Sequence, residues 1–203
     1  MASRVEGFDE AILLYAKKEF LEKGFNDASL RTIAKNAGVS TSTIYTRYVD
    51  KEGLFRFIVE PAAKIMIDYI GRSFAEFADM DDKMQVQKCD QCSDEGMKVV
   101  VDLIYDRFDD FKLLLTCGPN NYYQDFLEKL VELDTKCMRR YFHAVGSRSY
   151  AEGKISDGFL HVVTSAFYAG MFEVVIHDMS REEAEEYIGS LRLFYSTGWK
   201  AYF

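Results

Sequence analysis

The chain is poor in the residues that punctuate or react. It has two prolines, three histidines, one tryptophan and four cysteines in 203 residues. With so few prolines the turn signals of a β-rich fold are missing. The histidines form no HExxH, and no nucleophile elbow, glycine-rich phosphate loop or pair of catalytic carboxylates can be found. The chain is therefore expected not to be an enzyme and to carry no cofactor. Cys89 and Cys92 form a CxxC, but a zinc site needs two more ligands, and Cys117 and Cys137 lie far off in sequence. A thioredoxin-like use would need a βαβ setting. No apolar run approaches the roughly 18 residues that mark a membrane span. The N-terminus, MASRVEGFDEAILLYAKKEF, reads as amphipathic helix rather than leader. A cytoplasmic chain with reduced thiols and no membrane partner is expected. Basic charge is scarce too: the formal net charge is −8.

That deficit is uneven. Residues 1–56 hold nine Lys/Arg against eight Asp/Glu, and residues 57–203 hold sixteen against twenty-five. Contact with a polyanion depends on the charge of the contacting face, so an acidic total does not exclude it. Hydrophobic residues make up 48% of the chain, enough for a packed core. Their spacing is helical throughout, which predicts an all-α fold. We divide it into a domain over 1–56 and a second over 57–203.

Residues 29–54, SLRTIAKNAGVSTSTIYTRYVDKEGL, are the densest in information. Ser29 can cap a first helix. Leu30, Ile33, Ala34 and Ala37 form its buried face. Gly38 follows, where a left-handed backbone suits glycine. Ser40 can cap a second helix with Ile44 as its core residue. At 100° per residue, Ser42 and Thr46 then point away from Ile44, and Thr43 and Tyr45 lie on the flanks. Asp50 caps a third helix, and Lys51 lies in its first turn. This is the pattern of a helix-turn-helix, whose second helix enters the DNA major groove. Hydroxyls can bond phosphates and base edges, and methyl and ring carbons can touch the thymine methyl. A lysine beside a helix N-terminus can hold a phosphate. The expected DNA contacts are Ser29, Arg31, Ser40, Thr41, Ser42, Thr43, Tyr45, Thr46 and Lys51.

The same run resembles the DNA-binding domain of the tetracycline-repressor (TetR) family. The resemblance rests on Ser29, Ile33, Ala34, Ala37, Gly38, Val39, Ser40, Ile44, Tyr45, Asp50, Lys51, Glu52 and Leu54. The chain departs at Ser42, where the family commonly has glycine. It departs again at Arg47 and Tyr48, where the family often has an aromatic pair. The resemblance implies an N-terminal three-helix DNA-binding domain and a C-terminal helical domain for ligand binding and dimerisation. It also implies a palindromic double-stranded operator, a homodimer and a small-molecule effector.

Elsewhere the first helix is expected over 8–23, with Ile12, Ala16 and Phe20 inward and Gly24 ending it. The helix from Lys51 meets Pro61, giving one kinked helix or two consecutive ones to about Ala78. Residues 79–96 are polar and acidic and read as a loop. Helices follow from Met97, over FKLLLT, over 121–146, over 156–178 and over 181–202. GSRSYAEGKIS reads as a loop, and Ser180 with Glu183 as a capping box.

In the last two helices Ala184, Ile188, Leu191, Tyr195, Gly198 and Tyr202 make a narrow seam, and Ala166 and Gly170 allow close backbone approach. These eight residues are the expected dimer interface. Aromatic residues crowd the C-terminal part, and bundles host mainly apolar pockets between helices. Tyr105, Phe108, Tyr123, Phe126, Phe142, Phe167, Phe172 and Glu173 are the candidate effector contacts, with His143 and His177 as further polar groups. The expected effector is largely apolar or aromatic, and a carboxylate such as Glu173 would favour a cationic one. Two other readings stand beside repression by a ligand-released dimer: a ligand-free DNA-organising or interaction module, and a redox sensor through Cys89 and Cys92.

Overall fold

A computed structural model describes residues 2–119 and 121–202, with side chains from Asp9 onward. Among the described residues there are ten helices and no strand. They are α1 (Ala2–Asp27), α2 (Leu30–Asn36), α3 (Thr41–Tyr48), α4 (Lys51–Ala78) and α5 (Asp82–Asp106). Then come α6 (Phe108–Thr116), α7 (Tyr122–Ala144), α8 (Arg148–Ala151), α9 (Asp157–Ile176) and α10 (Arg181–Lys200). The chain forms two compact units, Met1–Lys64 with Arg107–Tyr123, and Ile65–Asp106 with Gln124–Phe203. The expected division at residue 56 falls inside α4, which runs on through Pro61. The first unit also recruits α6, a segment distant in sequence.

In the first unit Ile12, Ala16 and Phe20 are fully buried, and α1 breaks at Gly24 with φ 72°. Phe20 packs edge-on against Phe55, with ring centroids 5.3 Å apart. Helix α6 brings Phe111, Leu113 and Leu114 into this core, all fully buried. Its Asp110 is buried and pairs with Lys17 of α1. A second buried acid, Glu19, holds Lys23 at 2.9 Å and accepts the Ser29 backbone N–H at 3.1 Å, fixing the start of α2.

The second unit corrects the loop expected over 79–96. Helix α5 begins at Asp82, because the Asp81 carboxylate accepts the Met84 N–H at 3.0 Å. The buried Gln85 side chain donates to the Ala78 and Met80 carbonyls at 3.4 and 2.9 Å, closing the end of α4. Over 82–96 the residues of α5 that turn inward, Gln85, Cys89, Cys92 and Gly96 among them, are small or polar, so apolar periodicity does not reveal this part of the helix. Residues 148–151, expected in a loop, form the short helix α8 after the Ser147 cap. The Ser180–Glu183 capping box forms in both directions.

The expectation that no segment matches a membrane span is corrected at α9. By length and composition this helix could cross one, with mean hydropathy 1.6. In the structure it is a packed helix: Thr164, Tyr168, Met171 and Phe172 are buried, and Gly170 meets Leu191 of α10.

Candidate functional site

Helix α3 is built as its sequence implies. Ser40 caps it, its hydroxyl accepting the Thr43 N–H at 3.2 Å, and Ile44 is fully buried. Gly38 turns the chain between α2 and α3 with φ 68°. Ser42, Tyr45 and Thr46 are exposed, Tyr45 by 52%. Their hydroxyls are held locally. Ser40 Oγ lies 2.7 Å from Ser42 Oγ and 2.9 Å from Thr43 Oγ1, and Thr46 donates to the Ser42 carbonyl at 2.8 Å. Each hydroxyl keeps lone pairs for a further partner. Ser42 therefore joins the cap network, a role glycine could not fill.

Arg47 and Tyr48, the other departures from the family pattern, tie α3 to α1. Arg47 pairs with Asp9, and the buried Tyr48 hydroxyl donates to the same carboxylate at 3.3 Å. Burial first, then the Asp9 charge, pushes the Tyr48 phenol up to about 12. Neither residue faces outward as a DNA contact.

The junction to α4 holds two features that the sequence reading missed. Asp50 N–H donates to the Tyr48 carbonyl at 2.8 Å, and Val49 between them has φ 69° and ψ −56°. That is a γ-turn with a positive φ, a strained conformation for a β-branched residue. Gly53 accommodates the same carbonyl: a Cβ there would stand 1.9 Å from Tyr48 O. Asp50 caps α4 by accepting the Gly53 N–H at 2.7 Å.

Ser29, Arg31, Thr41, Tyr45 and Lys51 line one concavity, formed where α2, α3 and α4 begin and where Tyr45 of α3 looks out. Five of the nine expected DNA contacts thus meet in one place. Lys51 differs from the simple phosphate-holding picture. Its ammonium donates to the Asn26 and Ala28 carbonyls at 2.9 and 3.2 Å and sits 4.9 Å from the Phe25 ring centroid. These contacts brace the α1–α2 connection.

The second unit contains a cavity of about 570 Å³. Aromatic walls come from Tyr69, Phe74 and Phe77 of α4, Phe167 of α9, and Tyr195 and Trp199 of α10. The α5 wall includes Cys89, Cys92, Glu95 and Gly96, and the α7 wall includes Asp134, Cys137 and Tyr141. Of the eight candidate effector contacts only Phe167 lines it. Tyr105 instead donates to the Met179 and Ser180 carbonyls at 2.7 and 3.1 Å. Phe126 and Phe172 pack together with centroids 5.6 Å apart, and Phe142 belongs to a core with Ile155 and Leu160. Phe108 and Tyr123 belong to the first unit. Glu173 pairs with His177 at 2.9 Å, and His143 meets the Tyr150 ring. Aromatic count could not separate core from cavity, because both use the same residue types.

The expected dimer seam is largely spent within the chain. Ala184 and Ile188 are buried, Leu191 lies against Gly170, Tyr195 meets Phe167, and Tyr202 packs on the Phe142 cluster. A four-three spacing marks any buried helix face, and α10 uses it for α9 and α5. Ala166 and Gly198 are exposed. So are four large side chains on the outer sides of α9 and α10: Phe159, Val162, Leu193 and Phe194.

Residues 12–58 match the family model for bacterial regulatory proteins of the tetR family. The match covers the segment that folds into most of α1, all of α2 and α3, and the start of α4. Over 50 residues it is 46% identical to the HTH-type transcriptional repressor BepR of Brucella suis, a match covering 25% of this chain and 24% of that protein. The matched segment thus spans about a quarter of the curated relative. The whole tetR-type architecture recurs in solved structures of low identity, which show the fold. NalD of Pseudomonas aeruginosa, the secondary repressor of the MexAB-OprM multidrug efflux pump, is 18% identical with TM-score 0.61, covering 93% of this chain and 95% of that one. PfmR of Thermus thermophilus is 16% identical with TM-score 0.56, covering 90% and 95%. A regulator of Aquifex aeolicus is 19% identical with TM-score 0.54, covering 92% and 99%.

Proposed function

We propose that the chain is a transcriptional repressor that binds a palindromic operator as a homodimer and is released by a small, largely apolar or aromatic molecule. The observation that carries the DNA part is the outward face of α3. It is rigidly capped, exposed at Ser42, Tyr45 and Thr46, and flanked by the concavity of Ser29, Arg31, Thr41 and Lys51. Repression rather than activation is favoured by BepR and NalD, both named as repressors.

Pairing is proposed through the outer sides of α9 and α10. Val162, Leu193 and Phe194 are 64, 60 and 74% exposed, an apolar load that a free surface rarely carries. Phe194→Glu is expected to give a folded monomer. Leu191→Glu is expected to unfold the second unit first, because Leu191 packs inside the chain. Sedimentation and melting together separate the two outcomes.

The cavity is the proposed effector site. A ligand there acts only through its different affinity for two conformations. Helix α4 is the proposed carrier of that difference, since it contributes both Lys51 and the cavity residues Tyr69, Phe74 and Phe77. The redox reading has less support: burial pushes the Cys89 thiol up and the Cys137 thiol to about 12, and thiolate is the reactive form.

Selection from a pool of random duplexes tests the proposal. An inverted repeat should be enriched, with half-sites spaced by about one or more helical turns. Enrichment of no sequence would favour the DNA-organising module instead.

A further inference from the structure

We infer that the cavity takes an organic cation, an apolar molecule bearing a protonated amine, with the Asp134 carboxylate as its counter-ion. This rests on the reading of the cavity as a ligand site and adds the charge of the ligand.

The two basic residues lining the cavity are already matched: Arg192 holds Asp94 at 2.6 Å and Lys200 holds Asp90 at 3.0 Å. Neither offers an unmatched positive charge to an anionic ligand. Asp134 is different. It lies on α7, half-buried, and lines the cavity. The Tyr168 hydroxyl donates to it, and among the described residues no basic side chain pairs with it. A carboxylate partly withdrawn from water with no cation beside it is costly to ionise, and a cation brought by a ligand would relieve that cost. The wall adds Phe167, Tyr195 and Trp199, whose ring faces attract cations. A ligand with a positive end at Asp134 and an apolar body against these rings satisfies both features at once.

Three probes of nearly equal shape test this: phenylbutylamine, phenylbutanol and phenylbutyrate, each titrated into the full chain by calorimetry and followed by thermal shift. The expected result is that the amine binds at least tenfold more tightly than the alcohol, and that the acid binds most weakly. Asp134→Asn should reduce the amine to the affinity of the alcohol, while Tyr168→Phe, which keeps the carboxylate, should keep the preference for the amine. Equal binding of amine and alcohol to the native chain overturns the inference and leaves the cavity reading standing. A preference that survives in Asp134→Asn also overturns it, since another carboxylate is then responsible. If no probe binds while the chain still selects an operator, the cavity reading itself fails, and this inference with it.

Discussion

The two units treat their withdrawn carboxylates differently: in the first they are buried and paired, and in the second Asp134 is half-buried at a cavity wall. In the first, the two buried carboxylates among the described residues have cationic partners: Glu19 has Lys23, and Asp110 has Lys17 with Arg107 at 3.9 Å. These acids join α1 to α2 and to α6, and they belong to the scaffold that presents α3. In the second unit Asp134 has a tyrosine hydroxyl and no cation. Burial with a cation is an architectural use of charge. Burial without one costs stability, and groups that cost stability concentrate where function needs them. The difference agrees with the proposed reading, in which the first unit is the DNA-reading head and the second the receptor.

The strongest way to break this comparison is to disturb the head where it has no slack. Gly53→Ala would drive a methyl into the Tyr48 carbonyl, and overpacking against backbone costs about 3 kcal/mol or more. Melting should fall sharply and DNA binding with it; an unchanged melting temperature would show that the α3–α4 junction is loose. Next, Lys17→Met strands the Asp110 carboxylate. The expected loss, read by urea unfolding, is about 3 kcal/mol, the usual cost of breaking a buried pair from one side, softened if Arg107 closes in.

Asp134→Asn should have the opposite sign. Burial raises the Asp134 carboxyl from 3.8 to about 6. Its neighbours are Tyr168 across on α9 and Cys137 on its own helix, both themselves raised chiefly by burial. Since its folded pKa lies above its unfolded one, the folded chain binds the extra proton between about pH 4 and 6. Stability from this group therefore falls as pH rises through that window and stays reduced above it. The asparagine variant should be more stable at pH 7.5, by on the order of 2–3 kcal/mol, and should lack that pH dependence. Equal stability of both proteins at pH 7.5 would mean Asp134 is compensated after all. A smaller effect is expected from Val49→Gly. It relieves a positive φ but adds glycine's entropy cost, so the net gain should be about 1 kcal/mol or less. A loss of stability would assign Val49 a packing role despite its exposure.

How much the sequence disclosed follows the same division. In the head, side chains bond to backbone within a few residues, so Ser29, Ser40, Asp50 and Gly38 announce their caps and turns directly. Long-range pairings such as Arg47 to Asp9 were not legible, because nothing local marks their partners. In the second unit the inward side of the first half of α5 holds Gln85, Cys89, Cys92 and Gly96, a small and polar stripe at helical spacing that looks like a loop when only apolar residues are counted. The seam was legible as a packed face: Ala184 and Ile188 are buried and Leu191 lies against Gly170. Which surface buries it is a tertiary fact, and here that surface is in the same chain.

The most direct test of the account compares DNA affinities at one salt concentration, for the duplex selected by the chain and for a random duplex. The native chain and the Tyr45→Ala, Thr46→Ala double variant are measured side by side. Both substituted residues are exposed, so melting should be nearly unchanged. The account predicts that affinity for the selected duplex falls by about tenfold or more, the value of one or two base contacts, while affinity for random DNA holds within about twofold. Equal affinity of both proteins for the selected duplex would contradict the assignment of α3 as the reading helix.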